Sequence, residues 1–360
     1  MLLKECAAAV KSLTVVCALF LLCIWIVVPP PNGIAIVATV VSIELSPYLL
    51  LLNIVLLATL LRSRSQFKPA AIGLAAVNIL LNSLPLGTLV QSGITPQWPT
   101  AGNGRLAVTA SSIPIRLGDD RSAILAYLPA TGSNRPIVFT IYGGAWQRGS
   151  PAKDAPLDRA LATEGYAVFA LDYRHSPANH YPAALKDIRS EIAFILKNAR
   201  EYRADRTRVA ILGHSSGGEL AELCAFAPGS HFRALISYSG AIDLLRGYEI
   251  VPKPDPIGVR SVIADYMGFA PTGHTDRYRS ASPIDRVRRG APPTLLIYAD
   301  RDHVVMFESA KAFRDALLAD GNDVTLVQLP WTEHGFEEVP FGLHAPVALR
   351  AVEVFLRRTL

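Results

Sequence analysis

The first hundred residues of this 360-residue chain carry only seven charged side chains: Lys4, Glu5, Lys11, Glu44, Arg62, Arg64 and Lys68. The other 58 of the 65 charged groups fall in residues 101–360, the density expected of a water-soluble domain. No ordinary globular domain is so lopsided, and intrinsic disorder is excluded by a hydrophobic content of 51%. The pattern is an apolar module joined to a globular one.

Ser12 to Val28 is free of charge and closes on Pro29-Pro30-Pro31. A second apolar stretch runs from Gly33 to Leu61, interrupted by Glu44, and a third from Pro69 to about Val90. About 20 apolar residues per helix span a bilayer, so two or three transmembrane helices are expected, with residues 1–94 as a membrane module. Lys4 and Lys11 precede the first span, and Arg62, Arg64 and Lys68 lie between the second and third. Placing both groups in the cytoplasm satisfies the positive-inside rule and leaves residues 101–360 outside it, provided the third span is real. Asn78, Asn82, Ser83 and Pro85 make that span the least apolar. Glu44, followed by Pro47, is read as a local helix break; a partner contact or a functional carboxylate are the alternatives.

Residues 95–104, rich in Pro, Gly and Thr, read as a linker. Beyond them, short β-branched runs alternate with helix-period segments. The strands are expected at Ile137–Tyr142, Ala167–Leu171, Val209–Leu212, Ala234–Tyr238, Thr294–Tyr298 and Val324–Leu329, with helices such as Ala183–Arg200 and Phe307–Ala319. That alternation implies βαβ units and an α/β fold with a mainly parallel sheet over 105–360. Residues 106–127 read as two antiparallel edge strands joined at Gly118-Asp119-Asp120. The net charge of +5 comes without a basic reading element, so no nucleic-acid partner is expected. Cys6, Cys17, Cys23 and Cys224 have neither metal-ligand nor disulfide spacing, and no metal or cofactor is expected.

The chemistry centres on Gly213-His214-Ser215-Ser216-Gly217-Gly218, between a strand-like run and the helix-like Glu219–Phe226. A G-x-S-x-G at a strand–turn–helix junction is a nucleophile elbow, whose sharp turn leaves no room for larger side chains. Tyr142-Gly143-Gly144-Ala145-Trp146 follows another strand and exposes backbone N–H groups suited to an oxyanion. An acid and a base lie on later loops, Asp300-Arg301-Asp302-His303 and Glu333-His334-Gly335. Serine needs an imidazole to take its proton, and the imidazole needs a carboxylate to hold its tautomer. The order Ser215, Asp302, His334 suits this topology, with Asp302 preferred to Asp300 as the acid and Asp300 read as a turn cap. His214 is read as structural, and Trp146 and Trp331 as candidate walls of a substrate site, with simple packing the alternative.

These motifs resemble those of α/β-hydrolase carboxylesterases, the group that includes hormone-sensitive-lipase-like and feruloyl-esterase-like enzymes. Tyr142–Trp146 is similar to the group's His-Gly-Gly-(Gly/Ala)-Trp segment, with tyrosine in place of histidine. Leu171-Asp172-Tyr173-Arg174, Ser176-Pro177, Tyr181-Pro182-Ala183-Ala184 and Asp187 resemble a second family segment. The resemblance implies oxyanion donors on Gly144, Ala145 and Ser216, scaffold roles for Asp172 and Arg174, and hydrolysis of a small-molecule or lipid ester. Membrane-tethered prenylcysteine methylesterases share the layout of apolar module plus hydrolase.

The stretch 242–289 is long and holds several prolines, and is expected to cover the pocket. Transfer of the acyl group to another acceptor, peptide cleavage, or a non-catalytic binding role on the same scaffold are the competing readings.

Overall fold

The computed structural model describes residues 2–62, 67–94 and 106–360; the expected linker 95–104 lies outside the described residues. Four helices come first: α1 (Leu2–Cys23), α2 (Gly33–Glu44), α3 (Ser46–Arg62) and α4 (Lys68–Gln91). The prolines after α1 end its run, and Asn32 starts α2 by accepting from the Ile34 and Ala35 N–H groups at 3.1 and 3.0 Å. The second apolar stretch is therefore not one straight span: α2 and α3 meet at Leu45 with a bend of 72°. Among the described residues α4 alone is long and apolar enough to cross a bilayer unaided; α2 and α3 qualify only as a bent pair, and the apolar part of the first helix, Leu13–Ile26, is shorter.

The bundle is held from within by polar groups. Asn53, Asn78 and Asn82 are fully buried. Asn78 donates to Asn53 Oδ1 at 3.2 Å and to the Val16 carbonyl at 3.3 Å, while Asn82 donates to Cys23 Sγ at 3.1 Å. Ser42 ties α2 to α1 by donating to the Leu22 carbonyl at 2.7 Å. The asparagines that weaken the third stretch by hydropathy are thus its interhelical contacts.

Residues 108–360 build an eight-stranded sheet from β1 (Val108–Leu117), β2 (Asp120–Pro129), β3 (Arg135–Ile141), β4 (Ala167–Leu171), β5 (Ala204–His214), β6 (Ala234–Tyr238), β7 (Thr294–Ala299) and β8 (Val324–Leu329). The order is β1-β2-β4-β3-β5-β6-β7-β8. β1 and β2 form an antiparallel hairpin, β2 pairs antiparallel with β4, and the other neighbours run parallel. Helices cover both faces, so the central strands are nearly continuous apolar runs. On β3, Ile137, Phe139 and Ile141 face a core shared with α6 (Ala183–Lys197), α7 (Ser216–Ala225) and α11 (Phe307–Ala319). Val138 points to the opposite core, closed by α5 (Ala155–Thr163) and α12 (Ala345–Thr359). Between β6 and β7 the chain detours through α8 (Leu244–Glu249), α9 (Val259–Met267) and α10 (Thr275–Ser280).

The bundle docks on the sheet domain through its own backbone, one carboxylate and the Tyr48 hydroxyl, which donates to the Phe341 carbonyl at 3.3 Å. Arg301 donates to the Ile26 carbonyl at 2.7 Å and Trp331 donates to the same oxygen at 3.2 Å. Glu44 is fully buried and accepts from the His344 N–H and from His344 Nδ1, both at 2.8 Å. His344 is the N-cap position of α12, so a side chain from 300 residues upstream supplies that helix with its capping anion. Glu44 lies at a helix break, as expected, and the same residue joins the two halves of the chain.

Candidate active site

The strand–turn–helix expected around Ser215 is the junction of β5 and α7. Ser215 sits at φ 51°, a left-handed conformation that strains any side-chain-bearing residue. Only glycine fits around it: a Cβ on Gly213 would strike the Gly217 backbone, and one on Gly217 the Ile141 and Tyr142 carbonyls. Ser215 Oγ lies 2.9 Å from His334 Nε2. The other ring nitrogen, Nδ1, is 2.8 Å from Asp302 Oδ2. Asp302 Oδ1 accepts from the Val304 and Val305 N–H groups at 2.8 and 2.7 Å, which fixes the carboxylate in its loop. Asp300 is elsewhere: it accepts from the Thr332 N–H at 3.3 Å, and burial raises its carboxyl above the usual range.

Burial works against a charged His334, but the Asp302 carboxylate, helped by Glu337 and Glu333, overrides it and pushes the imidazole up to about 9. The base loop has support that sequence reasoning missed. Glu333 Oε1 accepts from the His334 and His303 N–H groups at 2.8 Å, and its Oε2 lies 2.6 Å from His303 Nδ1. The pair joins the loop after β8 to the loop after β7. Its only sequence signal is that each residue adjoins a residue of the Asp302–His334 pair.

Opposite Ser215, the Tyr142–Trp146 loop turns through positive φ at two successive non-glycine residues, Ala145 (57°) and Trp146 (56°). The Gly144 N–H donates to Ser216 Oγ at 3.0 Å, which ties this loop to the start of α7. Tyr142, at the usual histidine position of the resembling family, donates to Asp172 Oδ1 at 2.7 Å, lies 2.9 Å from His175 Nε2 and stacks on Tyr173. Asp172 also receives the Ser122 hydroxyl. Arg174 grips Asp187 with Nε 2.9 Å from Oδ2 and Nη2 2.8 Å from Oδ1, holding the following loop to α6. His214 Nδ1 lies 2.8 Å from Asp154 Oδ2.

The two tryptophans part company. Trp146 lines the cavity beside Ser215; its ring stacks on Tyr266 at 4.2 Å and its N–H donates to the buried Glu219 at 3.1 Å. Trp331 does not belong to that cavity. Its N–H is committed to the bundle and its ring lies under Arg301, 4.6 Å from the guanidinium carbon. The cavity measures about 620 Å³, within the range of small-molecule sites. Ile242, Leu244, Val259 and Ile263, from the region after β6, supply much of its apolar wall.

A parallel-centred sheet with a serine on the β5–α7 elbow, an acid after β7 and a histidine after β8 defines an α/β-hydrolase. The BD-FAE family matches residues 125–317, more than half of the chain. The chain belongs to that family. It is 32% identical over 244 residues to the probable carboxylic ester hydrolase LipM of Mycobacterium tuberculosis, covering 64% of this chain and 55% of LipM. It is 31% identical over 238 residues to esterase LipC of the same organism, covering 62% of this chain and 58% of LipC. The chain thus spans little more than half the length of these relatives. Among solved structures, esterase 2 of Thermogutta terrifontis phosphonylated by sarin shares the fold, with a TM-score of 0.60, 23% identity and coverage of 73% of this chain and 97% of that one.

Proposed function

We propose that this chain is a membrane-anchored serine esterase. The observation that carries the reading is the continuous relay from Asp302 through His334 to Ser215, at 2.8 and 2.9 Å, opening on an apolar cavity. Its named relatives, a carboxylic ester hydrolase and an esterase, support the same reading.

In the acylation step Ser215 Oγ attacks the ester carbonyl carbon while His334 Nε2 takes the hydroxyl proton. Asp302 holds the imidazole in orientation and stabilises its charged form. The carbonyl oxygen becomes an oxyanion facing the N–H groups of Gly144, Ala145 and Ser216, at the positive end of α7. Gly144 exchanges its Ser216 hydroxyl partner for this oxygen. Collapse of the intermediate expels the alcohol, which leaves with the proton held by His334. Water, deprotonated by the same nitrogen, then attacks the acyl-enzyme and releases the acid.

The division into a membrane module (1–94), a linker (95–104) and a catalytic domain (105–360) belongs to this proposal. The inverted burial of the bundle supports it: buried asparagines inside, exposed Leu51, Val55 and Leu80 outside. With α1, α3 and α4 as crossings, the basic groups near Lys4 and Arg62 lie at the cytoplasmic ends. Ile26 and Glu44, which touch the catalytic domain, lie at the other, so the domain is extracytoplasmic. The 17 residues of α3 are at the short end of what spans a bilayer.

The test is hydrolysis of p-nitrophenyl esters by the full chain in micelles, with Ser215→Ala beside it. Loss of turnover by about 10⁴-fold or more is expected in the variant. A folded parent that neither turns over esters nor reacts with a fluorophosphonate would sink the esterase reading.

A further inference from the structure

One wall of the catalytic cavity is not made by the hydrolase domain. It is α2. Gly33, Ile36, Val37, Val40 and Val41 all line the cavity that holds Ser215 and His334. Their spacing, i, i+3, i+4, i+7, i+8, is one face of a helix. The other face, with Ala35, Thr39, Ser42 and Ile43 buried, packs into the bundle. Glu44 pins the C-terminal end of α2 to α12, and at its N-terminal end a Cβ on Gly33 would lie 3.9 Å from the Pro256 carbonyl. The C-terminal end of α2 is thus fixed to the catalytic domain, and its N-terminal end lies near Pro256.

The mouth of this cavity is apolar on both lips. Val37 is 60% exposed and Ile250, in the 242–263 region, is 45% exposed; both also line the cavity. Ile34, the next turn's outward neighbour, is 85% exposed. Two exposed aliphatic side chains on the cavity lining, with Ile34 exposed beside them on α2, favour a hydrocarbon surrounding over water. The helix that bears two of them is continuous, through the bend at Leu45, with the apolar α3.

Resting on the esterase reading above, we propose that α2 is a specificity-determining wall of the active site. The substrate is a membrane lipid ester whose long aliphatic chain enters from the hydrocarbon phase between Val37 and Ile250 and lies along the Ile36–Val40 face. The bundle is then part of the binding site and not only a tether.

The experiment uses the full chain in phospholipid vesicles and a decyl fluorophosphonate with a diazirine at the chain end. Ser215 Oγ attacks phosphorus, a P–O bond forms and fluoride leaves; light then couples the chain end to whatever lies beside it. Phosphonylated Ser215 with cross-links in residues 33–41 is the expected result. Phosphonylated Ser215 with cross-links confined to 242–263 or 304–306 overturns the role of α2 and leaves the esterase reading standing. Unlabelled Ser215 overturns that reading, and the proposal with it. Val37→Trp, at an exposed position that tolerates bulk, supplies a kinetic arm. It should lower the ratio of kcat/KM for p-nitrophenyl decanoate to that for p-nitrophenyl acetate by about tenfold. Equal effects on both esters, or none, argue against the proposal.

Discussion

In the sheet domain Val138, Phe139 and Ile211 are fully buried and the charged side chains are mostly turned outward; in the helical bundle Asn53, Asn78 and Asn82 are fully buried while Leu51, Val55 and Leu80 face out. The same principle produces both. Each group goes where its surroundings cost least, and the reversal is what the proposed hydrocarbon surroundings of the bundle would require. The two regions are nevertheless not independent. The bundle contributes a capping carboxylate to α12 and a wall to the cavity, and Arg301 and Trp331 return hydrogen bonds to it.

The largest effect should stay wholly on one side of that division. Asp302→Asn is expected to lower kcat by about 10⁴-fold by leaving His334 in the wrong tautomer, with no change in how the bundle partitions into vesicles. In the parent, His334 is raised to about 9. Below that pH the imidazole of the free enzyme is mostly protonated and cannot act as base. The kcat/KM should therefore rise about tenfold per pH unit on approaching it. Its apparent pKa should fall in any Asp302→Asn activity that survives, since the raising carboxylate is gone. A flat profile from pH 6 to 9 would contradict the coupling of these two residues.

A change at the junction should be felt on both sides. Glu44→Ala leaves the buried His344 N–H groups without their acceptor, a loss of about 3–5 kcal/mol in docking. Hydrogen exchange should accelerate in α2 and in the first turn of α12 together, while strands β3 to β7 keep their protection. Unchanged exchange in both helices would mean that the carboxylate is not what joins them.

The smallest effect is expected inside the bundle. If the bundle lies in the membrane as proposed, Asn78→Leu should lower its thermal stability in micelles by only about 0.6–1.7 kcal/mol, because interhelical asparagine hydrogen bonds there are modest individually. A loss several times larger would indicate an asparagine network acting as a unit. A gain would indicate that the buried amides serve something other than helix association.

Much of the sheet was legible before any coordinates. The runs at Ala167–Leu171, Ala234–Tyr238 and Val324–Leu329 became β4, β6 and β8 with the same limits, because short apolar runs between turns have few other stable outcomes. β5 begins earlier than its apolar run, at Ala204, since Ala204 and Asp205 pair with Arg135 and Pro136 across an irregular register that no hydrophobic pattern announces. The bend at Leu45 was signalled by Glu44 and Pro47, but the partner of Glu44 was not. Trp331 shows the opposite failure. Its place between catalytic loops suggested a substrate wall, whereas its N–H joins Arg301 in donating to the Ile26 carbonyl, in the turn after α1.

The sequence by itself determined the nucleophile elbow and the chain order of serine, acid and base. The elbow depends on residues within a few positions of one another, where backbone sterics restrict the arrangement, and the order follows directly from where the motifs stand in the chain. Which aspartate reaches His334, how Glu333 and His303 brace the loop, where the asparagines of the bundle find their partners, and that α2 closes the cavity were decided only by the tertiary structure. Each is a meeting of side chains tens to hundreds of residues apart. No local periodicity encodes such a meeting; packing selects it when two apolar faces and the polar groups between them must all be satisfied at once.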